Sequence, residues 1–150
     1  MAKRRPCVAL TYIGLATALL PTLASASAPD GQFDCKSNPH TFISSLIDAK
    51  SIDPRPTHVE ANSVNAFRPT HGTGLQAFGF PIYAVFGYER DDALFRHGNG
   101  KTIDGSVYGV VVSAPADSVR VRLQEANSQA SVRPVVPLLL TAIVCDGQNQ

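Results

Sequence analysis

The sequence predicts an α+β domain in which a four-stranded mixed or antiparallel sheet carries two helices, in the order α-β-β-β-α-β. Three observations predict it. Two segments, 39–50 and 115–126, repeat apolar residues at three- and four-residue spacing, as amphipathic helices do. Four runs rich in β-branched and aromatic residues read as strands. Helical and strand segments alternate without repeats or low-complexity tracts, which places the helices on a face of one sheet.

Before these elements stands a segment with the features of a secretory leader. Lys3, Arg4 and Arg5 form a basic start, Val8 to Leu20 an apolar run, and Ala24-Ser25-Ala26 a small-residue cleavage site. A cut after Ala26 is favoured over one after Ala28, because Pro29 suits an extended protease-bound substrate poorly. The expected organisation is a signal peptide at 1–26 and one domain at 27–150. The apolar run is about half of the ~20 residues a bilayer span needs, so no membrane insertion is expected after cleavage. Three of the 13 basic residues and none of the 12 acidic ones lie in the leader, so the formal charge moves from +1 to −2. The remaining Lys and Arg are scattered singly, apart from Arg120 and Arg122, and no basic stripe marks a nucleic-acid binder.

Of the three cysteines, Cys7 leaves with the leader; Cys35 and Cys145 remain at the two ends of the domain. An even count in an exported chain reads as a Cys35–Cys145 disulfide, and the absence of C-x-x-C argues against a redox dithiol. The expected location is periplasmic or secreted.

Asn38 suits an N-cap and Pro39 the first helical position, with Phe42, Ile43, Leu46 and Ile47 forming one apolar face; the helix should stop before Pro54 and Pro56. Residues 57–67 read as a half-exposed edge strand and 68–74, "RPTHGTG", as a turn. Within 75–88 the strand proper is expected at 82–88, with Gly79 and Pro81 marking a bulge or an edge. Residues 106–113 form a strand. For 115–126, Pro115 and the helix formers of "RLQEA" favour helix over the alternating strand pattern Val119 to Leu123. Pro134 and Pro137 push the last, central strand to 138–144. If the last two strands are neighbours, the helix between them makes a right-handed parallel crossover. The expected core is Phe42, Leu46, Val110, Val112, Leu139 and Ile143.

Candidate chemistry is sparse. Gly98-Asn99-Gly100-Lys101-Thr102 ends like a phosphate-binding loop, but Phe95 stands where its first glycine belongs, so a turn of positive-φ glycines is the better reading. His40, His58, His71 and His97 sit in four separate segments; only His58 with Glu60 has a same-face strand spacing. Glu89, Asp91, Asp92 and Asp104 lack the spacing of a calcium loop. No serine sits in a nucleophile elbow, no thiol is left free, and the adjacent Asp91 and Asp92 suit a turn N-cap better than a pair of catalytic carboxylates. No catalytic residue, metal or cofactor is assigned.

What remains is the long connection 87–105. Tyr88, Arg90, Phe95, Arg96 and His97 combine there the side chains that dominate protein–protein hot spots. A role for Leu94 and Phe95 as a satellite of the core competes with that reading. The expected function is an exported binding domain, an inhibitor or immunity-type partner of another exported protein. The alternatives are a small exported hydrolase whose site is assembled from distant residues and a ligand-binding accessory protein of the cell envelope. Should the 87–105 segment prove to be core, the turn around His71 is the next candidate.

Overall fold

The computed structural model describes residues 30–147; the leader expected at 1–26 lies outside them. A short 3-10 segment, Asp30–Asp34, is followed by α1 (Pro39–Asp48), β1 (His58–Val59), β2 (Asn65–Phe67), β3 (Gln76–Ala77), β4 (Phe80–Tyr88), β5 (Val107–Val112), α2 (Ala116–Glu125), β6 (Ser131–Val136) and β7 (Leu140–Asp146). The α+β class holds. The four-stranded sheet does not: seven strands pair antiparallel throughout, in the order β1-β2-β4-β5-β7-β6, with β3 beside β4.

The three extra strands come from hairpins inside segments that read as single elements. In 57–67 the chain reverses at Ser63 (φ 75°), whose N–H donates to the Glu60 carbonyl at 2.9 Å. In 75–88 it reverses at Phe78 and Gly79, both at positive φ (51° and 82°), the pattern of a two-residue type I′ turn, so Gly79 marks a turn rather than a bulge. The third hairpin joins β6 to β7 through Pro137, Leu138 and Leu139, with the Leu139 N–H donating to the Val136 carbonyl at 3.0 Å. Because β6 intervenes between α2 and β7, β7 returns antiparallel to β5, and there is no parallel crossover. Leu139 therefore sits in a turn, 65% exposed, and leaves the expected core. Pro134 is tolerated because β6 is an edge strand.

Both helices form where the sequence places them. The Asn38 side chain accepts from the Thr41 N–H at 2.7 Å, and Pro39 fills the first turn of α1. The helix stops before the proline-rich stretch, at Lys50 in the left-handed region (φ 55°), with bonds from Lys50 N–H to Ile47 and from Ser51 N–H to Leu46 at 2.8 and 2.9 Å. In α2, Pro115 is the N-cap residue, and Val119 and Leu123 are buried.

Paired residues of an antiparallel sheet point to the same side. Phe67, Val85, Val110 and Ile143 are register partners in sequence across β2, β4, β5 and β7, and all four are fully buried. Both helices cover this face. Phe42 of α1 stacks on Tyr108 at 4.9 Å between ring centroids, and the same helix sets Ile43 over Gly87. The 3-10 segment lies against the same layer. Phe33 packs on Phe42 and Phe78 at 5.5 and 5.4 Å, the Tyr108 hydroxyl donates to the Gln32 carbonyl at 2.6 Å, and the Ser128 hydroxyl donates to the Phe33 carbonyl at 2.6 Å. The Cys35–Cys145 disulfide, with its Cα atoms 5.2 Å apart, ties this segment to β7 across 110 residues of chain. Closing a loop of that length is worth about 4 to 5 kcal/mol in the chain-entropy description.

Two outcomes follow for denaturant unfolding. Ile143→Ala destabilises by about 2 to 5 kcal/mol, whereas Leu139→Ala stays within about 0.5 kcal/mol of the parent. A large Leu139→Ala loss would contradict the hairpin. The second concerns Tyr108, whose hydroxyl is pushed up from 10.0 to about 12 by burial, with the Asp34 charge adding to the rise and a backbone bond from Ser37 opposing it. The fold favours the neutral phenol, so this contribution is complete below pH 10 and is lost as pH rises towards 12. It amounts to about 2 to 3 kcal/mol, and Tyr108→Phe should flatten that part of the stability profile.

Candidate functional site

The connection from β4 to β5 is a strap fastened to the fold. Tyr88 and Phe95 are 1% and 5% exposed, with ring centroids 6.3 Å apart. A Cβ on Gly87 would lie 3.2 Å from Ile43 Cγ1 and 3.3 Å from Phe95 Cε1, so the absent side chain at 87 is what lets the Phe95 ring close over the strand. Of the five side chains expected to form an interface, Tyr88 and Phe95 are therefore core. Arg90, Arg96 and His97 are exposed, and Arg90 reaches Asp104 at 3.7 Å.

Asn65, fully buried, holds the strap. Its amide nitrogen donates to the Ser63 and Arg96 carbonyls, both at 2.8 Å, and its oxygen accepts from the Arg96 N–H at 2.9 Å. Ser63 Oγ accepts from the Gly98 N–H at 3.0 Å; the Gly100 and Ile103 N–H groups donate to the Ala61 and Asn62 carbonyls at 2.8 and 3.2 Å. Gly98 is required by contact rather than by torsion. It is not at positive φ, contrary to the turn reading, and a Cβ there would collide with the Glu60 carbonyl oxygen.

The start of the strap is pinned to α1. Glu89 Oε2 accepts from the His40 N–H at 3.3 Å, His40 Nδ1 lies 2.6 Å from Asp92 Oδ2, and Asp92 Oδ1 accepts from the Leu94 N–H at 2.8 Å. Asp92 is accordingly the acid that organises the short turn. A histidine held by a carboxylate has the form of a general-base pair. Among the described residues no hydroxyl or thiol is hydrogen-bonded to this ring, and the pair acts as a staple between helix and strap. His58 and Glu60 do meet, at 3.2 Å, but both are exposed, and the described residues hold no group of three metal-ligating side chains.

Three further surface features stand out. The β6–β7 hairpin tip exposes Val135 (53%), Val136 (39%), Leu138 (80%) and Leu139 (65%). β4 and β6 each carry a bulge at this end of the sheet, after Ile82 and after Pro134, and the β4 bulge leaves Tyr83 63% exposed. On the sheet face that carries no helix, Val64, Ile103, Val107 and Val144 floor an open cleft of about 600 Å³ rimmed by Arg133, Asp146 and Asp104. A second depression, of about 490 Å³, lies at the α1 C-terminus beside the "RPTHGTG" turn. Sequence reasoning missed the hairpin tip because Leu138 and Leu139 read as the start of the last strand; the type II turn signal Pro137 lacks its usual glycine at 138.

No protein family matches this chain, and neither a curated protein nor a solved structure resembles it.

Asn65→Ala leaves the Arg96 N–H and carbonyl without their partner inside the fold, and a buried group so orphaned costs about 1 to 3 kcal/mol. Hydrogen exchange should then speed up across 95–103, while β5 and β7 stay protected. Unchanged exchange in the strap would mean that Phe95 alone holds it.

Proposed function

We propose that this protein is an exported binding module that engages another exported protein through the β6–β7 hairpin tip. Export rests on the leader-like start and is consistent with the disulfide; binding rests on the tip. Leu138 is the observation that carries the reading. It occupies the third position of a turn closed by the Val136–Leu139 bond, with Pro137 before it and φ at 63°, where glycine is the favoured residue. A leucine there costs about 1 kcal/mol or more in backbone strain and leaves 80% of its surface in water. Folding alone favours glycine or asparagine at this position. A partner pocket that receives Leu138, Leu139 and the neighbouring valines accounts for the apolar choice, since contiguous exposed apolar surface marks interaction sites.

The tip also dictates the mode of docking. Pro134 withdraws a backbone donor from the outer strand, so strand addition along β6 is disfavoured and recognition falls to side chains projecting from the turn. This supports an anchor entering a concave partner surface, the geometry open to an inhibitor or immunity-type protein.

The test compares the parent protein with Leu138→Gly and Leu139→Ser in affinity capture from extracts of the host envelope and culture medium. The expected outcome is one stoichiometric partner for the parent, at least about tenfold weaker binding for the variants, and fold stability within about 1 kcal/mol of the parent, because glycine relieves the turn. Equal capture by all three moves the interface away from the tip. The absence of any stoichiometric partner sinks the binding reading.

A further inference from the structure

The depression beside His71 brings together two cations that no carboxylate neutralises. Among the described cations, Lys36, Arg90, Arg120, Arg122 and Arg133 each meet a carboxylate within 4 Å. Lys50, Arg55, Arg68, Arg96 and Lys101 form no ion pair among the described residues. Arg96 and Lys101 belong to the strap, whereas Lys50 and Arg68 line this cleft with His71, and Arg55 follows Pro54 in the chain. Asp53 is the one acid in the lining, and its Oδ1 is occupied by the Arg55 N–H at 2.9 Å; Asp48, on α1, is outside it. The floor is apolar, built from Ile47, Ile52, Pro54 and Pro69.

The walls are preset. Asp53 N–H donates to the Arg68 carbonyl and Thr70 N–H to the Ser51 carbonyl, both at 2.9 Å, on either side of an Ile52–Pro69 bridge. The turn beyond is closed by the Thr73 hydroxyl donating to the Thr70 carbonyl at 2.8 Å, with Gly72 at φ 81°. A site built this way loses little entropy on binding.

We propose that this cleft receives an acidic peptide segment of a partner protein, with an apolar side chain on the Ile47–Ile52–Pro69 floor and flanking carboxylates on Arg68 and Lys50. A peptide is favoured over a small molecule because the cleft is open to solvent, whereas small-ligand sites enclose most of their ligand. Arg68 is the stronger anchor. Its guanidinium offers bidentate hydrogen bonds, while Lys50 stands at the C-terminus of α1, whose dipole already draws on its charge and repels an incoming carboxylate. The cleft lies at the β1–β2 edge and the hairpin tip at the β6–β7 edge, so this proposal does not rest on the proposed function, and either can fail alone.

The probe is a fluorescein-labelled Glu-Glu-Leu-Glu-Glu peptide titrated by anisotropy into the disulfide-bonded protein. Binding is expected below about 1 mM, weakening as salt rises from about 0.05 to 0.5 M. Arg68→Ala should weaken it by about fivefold or more, Lys50→Ala by less, and Arg120→Ala, on the far side of the molecule, not at all. Circular dichroism checks that Arg68→Ala remains folded, and Arg68→Lys serves as a second variant that keeps the charge and loses the bidentate fork. The proposal is overturned by no binding at about 1 mM, by equal affinity in Arg68→Ala, or by equal affinity for a Lys-Lys-Leu-Lys-Lys peptide. It is also overturned in its apolar part if Glu-Glu-Gly-Glu-Glu binds as well.

Discussion

Everything in this fold depends on one row of side chains, Phe67, Val85, Val110 and Ile143, lined up across β2, β4, β5 and β7 and sealed by the two helices. A one-residue slip of any of these strands would turn its contribution to the opposite face, so burial of the row fixes the register of the whole sheet. The next row along, Asn65, Gly87, Tyr108 and Cys145, is fixed with it. Each member of that second row fastens something to the sheet. Asn65 binds the strap, Gly87 admits Phe95 and Ile43, Tyr108 holds the Gln32 carbonyl, and Cys145 takes the disulfide. The irregular segments are therefore ordered by the sheet's register.

The parts legible in the sequence are those governed by local chemistry. Asn38-Pro39 starts a helix by capping, the spacing of Phe42, Ile43 and Leu46 gives its buried face, and one cysteine at each end of the domain announces a bridge. The hairpins were not legible for a specific reason. Two of their turns place Phe78 and Leu138, rather than Asn or Gly, at positive φ, so the usual punctuation is incomplete: Gly79 reads as a bulge or an edge and Leu138 as the start of a strand. The same omission produced the parallel crossover and put Leu139 in the core. Strand count and strand direction failed together because they rest on the same turns.

The strap shows a different limit. Tyr, Arg and Phe in a long connection have the composition of an interface, but composition does not say which side of the chain faces the sheet. That is decided by packing against the rest of the fold: Gly87 provides room for Phe95 beneath Ile43 of α1, and Asn65, thirty-one residues before Arg96, supplies the bonds. Apart from the glycine, nothing within 87–105 carries that information. The Arg90, Arg96 and His97 side chains remain exposed because the backbone to which they are attached is the part that is held.

A sheet covered on one side by helices buries its strands unequally, and the exceptions to good folding then stand out. In the core, each departure from local preference has a structural partner: Gly98 a carbonyl, Gly109 the Phe86 ring and the Ile143 carbonyl, Asn65 a backbone. At the hairpin tip no such partner exists within the described chain, although Leu138 bears both strain and exposure. Lys50 and Arg68 at their cleft likewise lack the carboxylate that Arg90 and Arg133 have within the fold. The two features share a logic: a residue whose cost is not offset inside the fold is one whose complement lies outside it. They also lie at opposite edges of the sheet, beyond the buried row, where a change of side chain alters what the surface presents without disturbing the register that holds the fold together.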